Sequence, residues 1–451
     1  MGPVLMLINR NFSRLWIGQL VSLLGDFVFD TTLLLWVATV LLYGKPYAPI
    51  VSSTVLILVA VAAIAVAPFA GVLVDRWDKR RTMLRANLVR FVLIGLLALV
   101  ASLPAGTVPI PVILILAGVV VTFATAAAGF FNPARIVLVG DIVPENQIGK
   151  ASGLIQSTMA LAAILGPPLA APLLVTVGAQ WTLALSAMSY LLSSALIRSV
   201  RPAPADVRSV TPDSHQAEAG RPGMMREFVD GLRLFRGNRV LVTLLVTTTF
   251  VMLGAGAINA LDVYFVQENL HAAPEWFGLI GAAIGVGALI GSAAAGILGD
   301  RFGLARTYCA SLLLASGLFL LYSRMTSIGP ALIMVTLFSI GLGSLHTVST
   351  PLVMRAVPRS HLGRVLSVFS PIAQVATVIS IGVAGALVSA LPPEFRISMA
   401  GVEFGRIDLV FFGSSAVMLS SAIYAAVTLL GRDRMPARAD DTEPDRVETA
   451  G

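Results

Sequence analysis

The sequence predicts an all-α membrane protein in which twelve transmembrane helices form two pseudo-symmetric halves of six. Three observations support this fold class: the composition, the number of long apolar runs, and a loop motif that occurs twice. The 451 residues are 57% hydrophobic and only 12% charged, with a mean hydropathy of +0.87. A soluble domain carries about 25% charged residues. A chain this apolar requires lipid as its solvent, which makes it a multi-pass membrane protein.

The apolar runs predict the individual helices. A helix needs about 20 apolar residues to cross the roughly 30 Å of hydrocarbon in a bilayer. Twelve such runs occur, at roughly 15–42, 52–74, 83–103, 108–131, 151–177, 180–199, 240–266, 276–299, 305–323, 329–353, 365–390 and 408–430. A stretch rich in proline, alanine and charge separates the sixth run from the seventh. We therefore predict an N-terminal six-helix half, a cytoplasmic linker, a C-terminal six-helix half and a disordered cytoplasmic tail, over residues 1–200, 201–238, 239–431 and 432–451.

The basic residues predict the orientation of the chain. With the N-terminus inside, all but four of the 31 Lys and Arg residues fall in cytoplasmic segments, the exceptions being Lys45, Arg324, Arg396 and Arg406. This bias follows the positive-inside rule. We expect both termini to be cytoplasmic, in a bacterial plasma (inner) membrane. Because the basic residues lie between apolar spans and not on a face with interleaved aromatics, the net charge of +7 does not indicate a nucleic-acid partner.

The sequence lacks the residues that several classes of function require. The single cysteine, Cys309, excludes an intrachain disulfide and a CxxC metal site. The sequence offers no nucleophile–base pair and no cluster of metal ligands, and it has no GxxxxGK[ST] loop for ATP. We therefore expect no enzymatic activity, no metal and no cofactor.

A loop motif is repeated in the two halves. Residues 71–81 read GVLVDRWDKRR after the second run, and residues 296–306 read GILGDRFGLAR after the eighth, an offset of 225 residues. Two six-helix halves that share a loop motif in the same place indicate a duplicated transporter fold, with a substrate site between the halves. A channel or a membrane enzyme does not need this repeat.

The repeated motif resembles the signature loop of the major facilitator superfamily. The pattern G-x-L-x-D-R-x-x-x-R-R and its second copy supply Gly71, Asp75, Arg76, Arg80, Arg81, Asp300 and Arg301. Asp78 stands where the family prefers Gly, so this turn is expected to differ. The resemblance implies the major facilitator fold, transport by alternating access, and a cytoplasmic gate formed by these residues.

Shorter matches resemble one branch of that superfamily. The opening NRNFSRLWIGQLVSLLGD and the loop FFNPAR…VP are similar to macrolide-efflux and enterobactin-exporter proteins, which belong to the drug:proton antiporters. The antiporter motif G-x-x-x-G-P-x-x-G-G of span 5 occurs as AAILGPPLAA, with Gly166 and Pro167 intact and alanine at the other glycine places. The resemblance implies a hinge at Gly166 and Pro167. The intramembrane arginine that many drug antiporters carry in span 4 is absent.

Two acids lie inside the first apolar run, where each charge costs several kcal/mol. Asp26 and Asp30 are four residues apart, so both lie on one face of a helix, and Gln19 and Ser22 extend that face. At 1.5 Å per residue, Asp26 lies about 15 Å into the span and Asp30 about 6 Å deeper. Two like charges at low dielectric cannot both ionise cheaply, so one carboxyl is expected to hold a proton near neutral pH. Such a carboxyl can couple transport to protons or bind a lipophilic cation.

The two acids have different alternatives. Asp26 serves either as a structural or gating acid, for example paired with Arg90, or directly in coupling, and the sequence leaves both open. Asp30 is the better candidate for contact with a proton or substrate. The duplicated helix lacks both acids, because residues 251–257 at the matching offset carry no carboxylate. The fold alone therefore does not require them.

Isolated polar or aromatic residues in other spans are further candidates for the cavity wall. They are Trp36, Gln156, Asn259, His346 and Gln374, and each has interhelical hydrogen bonding or packing as its simpler alternative. Asp262 and Glu268, near the outer end of span 7, are expected to reach water as interface or outer-gate residues.

The sequence therefore predicts a monomeric, proton-coupled multidrug exporter whose partners are the lipid bilayer, protons and a small amphiphilic, cationic drug or natural product. Its energy source is the proton gradient, and antibiotic resistance is the expected consequence. Three alternatives stay open. The first is an exporter of an endogenous siderophore or secondary metabolite, the second a proton-coupled uptake symporter, and the third a membrane sensor that does not transport.

Overall fold

The computed structural model describes residues 8–200, 235, 238–357, 362–399 and 402–430. The predicted tail over 432–451 lies outside these residues. So does the predicted linker over 201–238, apart from Phe235 and Asn238.

The N-terminal half consists of six helices. They are α1 (Arg10–Leu35, continued by a π-helical segment Trp36–Leu41), α2 (Ala48–Arg76), α3 (Lys79–Ala101), α4 (Ile110–Ile142), α5 (Ile148–Val177, preceded by a 3₁₀ turn Glu145–Gln147) and α6 (Ala179–Arg198). Side-chain caps begin two of them. Asn9 accepts a hydrogen bond from the amide of Phe12 at 2.8 Å, and Asp78 accepts one from the amide of Arg81 at 2.6 Å. Each cap satisfies a helix N–H that has no partner within the helix.

The C-terminal half has six helices and a short hairpin. The helices are α7 (Arg239–Glu268), α8 (Trp276–Phe302), α9 (Leu304–Tyr322), α10 (Ile328–Ala356), α11 (Leu362–Ala390) and α12 (Arg406–Ala425, continued by a π-helical segment Ala426–Leu430). Strands β1 (Arg396–Met399) and β2 (Val402–Gly405) pair antiparallel between α11 and α12, with Arg396 opposite Gly405. We call the end of the bundle that carries this hairpin the hairpin end, and the end where α1 begins the terminus end.

The prediction of an all-α fold with twelve helices in two halves is confirmed, and the hairpin is the one regular element that it omitted among the described residues. Eleven of the twelve described helices are long and apolar enough to cross a membrane. The twelfth, α6, falls outside that group and packs along α1 and α3. Its Ser186, Tyr190 and Ser193 are buried against those neighbours.

Glycines allow the closest helix packing within a half. Helix α8 lies directly on α10, and a Cβ atom added to Gly291 would lie 2.0 Å from the carbonyl oxygen of Ile340. At Gly343 of α10, an added Cβ would lie 2.2 Å from the carbonyl oxygen of Ala288. Lipid gives no hydrophobic force between helices, so membrane helices associate through such close backbone contacts.

Contacts between the two halves lie toward the hairpin end. Helix α2 meets α11 where Ser389 Oγ accepts a hydrogen bond from the amide of Ile50 at 3.0 Å and where Gly385 faces Ser53. The hydroxyls of Ser52 in α2 and Tyr264 in α7 lie 2.7 Å apart. These contacts involve the first residues of α2 and the last residues of α7 and α11.

A second seam joins α5 to α8. An added Cβ on Gly278 would lie 2.5 Å from the carbonyl oxygen of Pro167, and one on Gly281 would lie 2.9 Å from the Pro167 side chain. Gly285 approaches Ile164 in the same way. Both seams close the bundle at the hairpin end, so the space between the halves is shut on that side.

Candidate functional site

Asp26 lies in a three-helix polar cluster. Its Oδ1 atom accepts hydrogen bonds from a guanidinium nitrogen of Arg90 in α3 and from the hydroxyl of Tyr190 in α6, the latter at 2.6 Å. The guanidinium also lies 4.3 Å from the centre of the Tyr190 ring. The Arg90 and Asp26 side chains are 8% and 27% exposed. The pairing with Arg90 that the sequence left open is therefore present, and the Asp26 carboxylate is neutralised by an adjacent cation.

Small and polar residues hold these three helices together. Gly25 packs so tightly on α6 that an added Cβ would lie 1.9 Å from the Ser189 hydroxyl. One turn below Arg90, the Asn87 amide donates to Ser193 Oγ at 3.0 Å, which joins α3 to α6. Because Gly25 has no side chain, α1 approaches α6 closely enough for the next residue, Asp26, to reach the Tyr190 hydroxyl.

Asp30 has a different environment one turn further along α1. It is exposed, although α1 is the most enclosed of the spans that qualify by length and hydropathy. Within the described residues, Asp30 has neither a hydrogen-bond partner nor an ion-pair partner. A carboxylate facing lipid would cost several kcal/mol. We therefore expect Asp30 to face the space between the halves and not the lipid.

Three predicted cavity residues are buried in this conformation. Gln19 is 1% exposed, and its amide nitrogen has no hydrogen-bond partner. Ser22 donates to the carbonyl oxygen of Gln19 at 3.1 Å, and Trp36 lies in the apolar core at the π-helical segment. These three side chains therefore fill contacts between helices and do not line an accessible surface here. The face that Asp26 and Asp30 share becomes inaccessible toward the terminus end.

The four other polar candidates are accessible. They are Gln156 in α5, Asn259 in α7, His346 in α10 and Gln374 in α11. Asn259 is the clearest case, because Ile258 and Ala260 on either side of it are buried. His346 lines a recess of about 120 Å³ between α7, α10 and α11. Amides and imidazoles at the membrane depth favour a water-filled space between the halves over lipid.

The repeated motif lies at the terminus end of both halves. The first copy closes α2 and begins α3, where Arg80 donates to the backbone carbonyl of Arg198 at the end of α6. Arg76 and Arg81 are exposed, and Trp77 packs near Phe130 with ring centres 5.8 Å apart. The backbone of Gly71 and Asp75 belongs to α2, and the Asp75 side chain lies outside the described atoms.

The second copy, Asp300 and Arg301, ends α8 with both side chains exposed. The Arg301 guanidinium carbon lies 5.4 Å from the Phe302 ring centre. In this conformation the two motif copies thus lie at the terminus end of the bundle, whereas the two seams between the halves lie toward the hairpin end.

The span-5 motif lies at the seam between the halves. Gly166 contacts Phe27 of α1, where an added Cβ would lie 2.3 Å from the Phe27 Cβ, and Pro167 contacts Gly278 and Gly281 of α8. The motif thus connects α1, which carries the acids, with the hairpin-end closure. The hinge role of Gly166 and Pro167 stays a prediction.

Helix α7 departs from expectation at Asp262. The side chain was expected to reach water, but it is 4% exposed and accepts a hydrogen bond from the Tyr322 hydroxyl at 2.6 Å. The expectation for Asp262 was wrong because α9 covers this face of α7. Glu268, one and a half turns further, pairs with Arg406 of α12. It lies at the hairpin end and is partly accessible, as expected.

Two tyrosines that the sequence analysis did not select are central to these sites. Tyr190 and Tyr322 are fully buried, and each donates to an aspartate of the first helix in its half. The sequence could have pointed to both residues, because the hydroxyl of a buried tyrosine in a membrane span needs a hydrogen-bond acceptor. Within the described residues, no group of three His, Cys, Asp or Glu side chains is arranged to hold a metal ion.

Comparison with known proteins identifies the family. The profile described as Major Facilitator Superfamily matches residues 15–265 and 243–449. Macrolide efflux protein A of Streptococcus pyogenes is 25% identical over 289 residues, 64% of this chain and 67% of that protein. The MFS-type transporter YvqJ of Bacillus subtilis is 28% identical over 66% of this chain and 67% of its own length.

A crystal structure of a bacterial homologue of the iron transporter ferroportin, in an inward-facing state, has the same fold. The TM-score is 0.68 at 16% identity, and the match covers 94% of this chain and 98% of that one. The resemblance noted in the sequence is thereby confirmed at the level of profile, relatives and fold. With twelve helices in two halves and a family profile that spans most of its length, this chain belongs to the major facilitator superfamily of membrane transporters.

Proposed function

We propose that this transporter is a proton-coupled exporter of amphiphilic, cationic drugs or natural products, working as a monomer in the bacterial plasma membrane. The terminus end faces the cytoplasm in this proposal, so that the hairpin end is external. Closure at the hairpin end then makes the described conformation inward-facing. The proton gradient is the energy source, with no metal or cofactor.

The observation that carries the proposal is the contrast between the two acids of α1. Asp26 is held by Arg90 and Tyr190, whereas Asp30 is accessible and without an ion-pair partner in the described chain. A carboxyl that opens to the space between the halves can hold either a proton or a cation. Competition between these two ligands for one carboxylate produces antiport, because a proton entering from outside displaces the cation that was loaded from the cytoplasm.

Two further observations support the direction and the substrate class. Macrolide efflux protein A is among the relatives, and its name describes the efflux of macrolides. The basic residues concentrate at the terminus end, which supports a cytoplasmic location for that end under the positive-inside rule.

The proposal is tested by transport in proteoliposomes with an imposed pH gradient. Erythromycin and tetraphenylphosphonium serve as substrates, and proton flux is recorded with a pH-sensitive dye. We expect wild-type protein to exchange each substrate for protons, and Asp30→Asn to lose at least about 90% of the pH-driven accumulation, as removal of an essential coupling group does. Glu145→Gln, a change in the 3₁₀ turn before α5, is the matched control and should retain transport.

The same experiment decides among the alternatives. Proton and substrate moving in the same direction would replace antiport with symport. If wild type moves neither substrate but accepts a siderophore or another secondary metabolite, the substrate class is wrong and the transport mechanism stands. Full pH-driven accumulation by Asp30→Asn would refute the role of that acid.

A further inference from the structure

A large cavity opens at the hairpin end, apart from the acids of α1. Its volume is about 980 Å³, at the upper end of the range for small-molecule sites. The N-terminal half contributes the segment after α1, including Tyr43 and Lys45, and the C-terminal half contributes the connection from α7 to α8, the hairpin and the start of α12. The cavity therefore bridges the two halves beside the closed seam.

Charged side chains of both signs converge on this cavity. The four basic residues that the sequence placed on the outer side all line it, although they come from three separate parts of the chain. The charged lining residues are Lys45, Arg324, Arg396, Arg406, Glu268, Glu394, Glu403 and Asp408. Their formal charges cancel, so the cavity has no excess of either sign.

The inner wall of the cavity is fixed by pairs between these residues. Arg406, 5% exposed at its side chain, donates through Nε to Glu268 at 3.0 Å, and its Nη1 atom reaches the carbonyl oxygens of Val388 and Leu391, each at 3.3 Å. Arg324 lies 3.7 Å from Asp408. Arg324 Nη2 also donates to the backbone carbonyl of Glu403 at 2.9 Å. These pairs hold the wall in place.

Two charged side chains at the mouth of the cavity can still bind a ligand. Lys45 and Glu394 are exposed, and within the described residues neither has an ion-pair partner. Lys45 belongs to the N-terminal half and Glu394 to the C-terminal half. Tyr43 and Tyr264 add aromatic surface to the same cavity.

We propose that this hairpin-end cavity is a second ligand site, which takes a zwitterionic amphiphile of drug size. Lys45 receives the anionic group of the ligand and Glu394 the cationic group, while the tyrosines contact its apolar body. The site is complete only when the halves are closed at the hairpin end, because it draws on both. A bound ligand therefore stabilises the closed conformation and slows the transport cycle; this consequence for transport rests on the proposed function, whereas binding itself does not.

Binding is measured with full-length protein in lipid nanodiscs, using three probes on one fluorescent fluoroquinolone scaffold. The first is the zwitterion ciprofloxacin, the second its methyl ester, a cation, and the third its N-acetyl derivative, an anion. We expect the zwitterion to bind at least about fivefold more tightly than either relative, the size of effect that one exposed ion pair provides. Lys45→Gln should weaken the zwitterion and the anion about threefold to fivefold, and Glu394→Gln the zwitterion and the cation by the same factor.

Three control variants separate this site from the central one. Lys150→Gln and Glu145→Gln, at the terminus end, should leave the affinities unchanged. Asp30→Asn should also leave zwitterion binding unchanged, even where it abolishes pH-driven transport. Equal affinity for the three probes, no binding of any of them, or loss of zwitterion binding in Asp30→Asn with no effect at Lys45 and Glu394 would each overturn the proposal.

Discussion

Asp26 and Asp30 occupy the same helix and nearly the same face, yet their surroundings differ. Asp26 shares its carboxylate with Arg90 and Tyr190, so its charge is compensated where it stands. Asp30 has no such partner among the described residues. Removing a carboxylate from its ion pair costs free energy, whereas a carboxylate without such a pair can exchange a proton for a cation. We therefore propose the coupling role for Asp30, and for Asp26 a role in positioning α1 against α3 and α6.

The Asp26–Arg90 pair predicts a strong dependence of each residue on the other. Arg90→Gln leaves a carboxylate in a partly buried site without its cation, which is expected to destabilise the protein by about 3 kcal/mol or more. The double variant Asp26→Asn/Arg90→Gln should recover much of that loss, because it removes both charges. Thermal unfolding of purified protein in detergent measures the three variants as a double-mutant cycle. Additive effects of the two single variants would contradict a direct pair.

Tyr190 provides a milder test of the same cluster. Tyr190→Phe removes one hydrogen bond to Asp26 and should cost about 1 kcal/mol, the usual value between membrane helices. Tyr424→Phe is the matched control, since Tyr424 is partly exposed at the end of α12 and no side-chain hydrogen bond from its hydroxyl is present in the described chain. Equal melting temperatures for Tyr190→Phe and the control would show that the hydroxyl contributes nothing.

Helix packing depends on where glycine is required and where it is merely tolerated. In α8, an added Cβ on Gly291 would collide with backbone of α10, whereas one on Gly296 meets nothing within 4 Å. These two residues lie on the same helix, five positions apart. The two glycines therefore differ in whether another helix packs against them, and not in the helix to which they belong.

This contrast predicts opposite outcomes for the same substitution. Gly291→Ala should destabilise the protein by about 1–3 kcal/mol, because rigid backbone must move to admit the methyl group. Gly296→Ala should be neutral or stabilising by up to about 1 kcal/mol through its higher helix propensity. Melting temperatures of the two variants provide the measurement. A stabilising Gly291→Ala would mean that α8 and α10 do not pack as described.

Across the whole molecule, two separate seams join the halves toward the hairpin end. Both rely on small residues: Ser53 against Gly385 on one side, and Pro167 against Gly278 and Gly281 on the other. A side chain added at a seam shifts the balance toward the conformation in which that end is open, since only the closed state bears the steric cost.

Accessibility of Ser52 reports this shift. Ser52 is fully buried between the halves, and Cys309 is the only native thiol. In a Cys309→Ala background, Ser52→Cys should react slowly with a thiol reagent in detergent solution. Adding Gly278→Ala should accelerate labelling about tenfold, the effect of roughly 1.4 kcal/mol on the equilibrium. Gly317→Ala, where an added Cβ meets nothing within 4 Å, is the control. Unchanged labelling with Gly278→Ala would contradict a closed seam at that position.

The amino-acid sequence was sufficient to predict the features that depend on composition. Hydropathy located the spans, the distribution of Lys and Arg predicted an orientation, and the loop GVLVDRWDKRR identified the superfamily. The hydropathy and motif signals each lie in a window of some 20 residues, the length of one membrane helix. The bias of Lys and Arg is a sum over all the connecting segments and needs no knowledge of tertiary contacts. The sequence also pointed to Asp26 and Asp30, because an acid in an apolar run stands out without knowledge of its neighbours in the fold.

Which polar groups are paired, covered or accessible depends on contacts between distant parts of the chain. Asp26 meets partners 64 and 164 residues away in the chain, and the cover that Tyr322 provides for Asp262 comes from a different helix. Gln19, Ser22 and Trp36 became buried, while Asn259 stayed accessible, through the rotation of each helix against its neighbours. That rotation follows from the close packing of small residues between helices. The sequence of a single apolar span does not show which neighbouring helix will cover each of its faces.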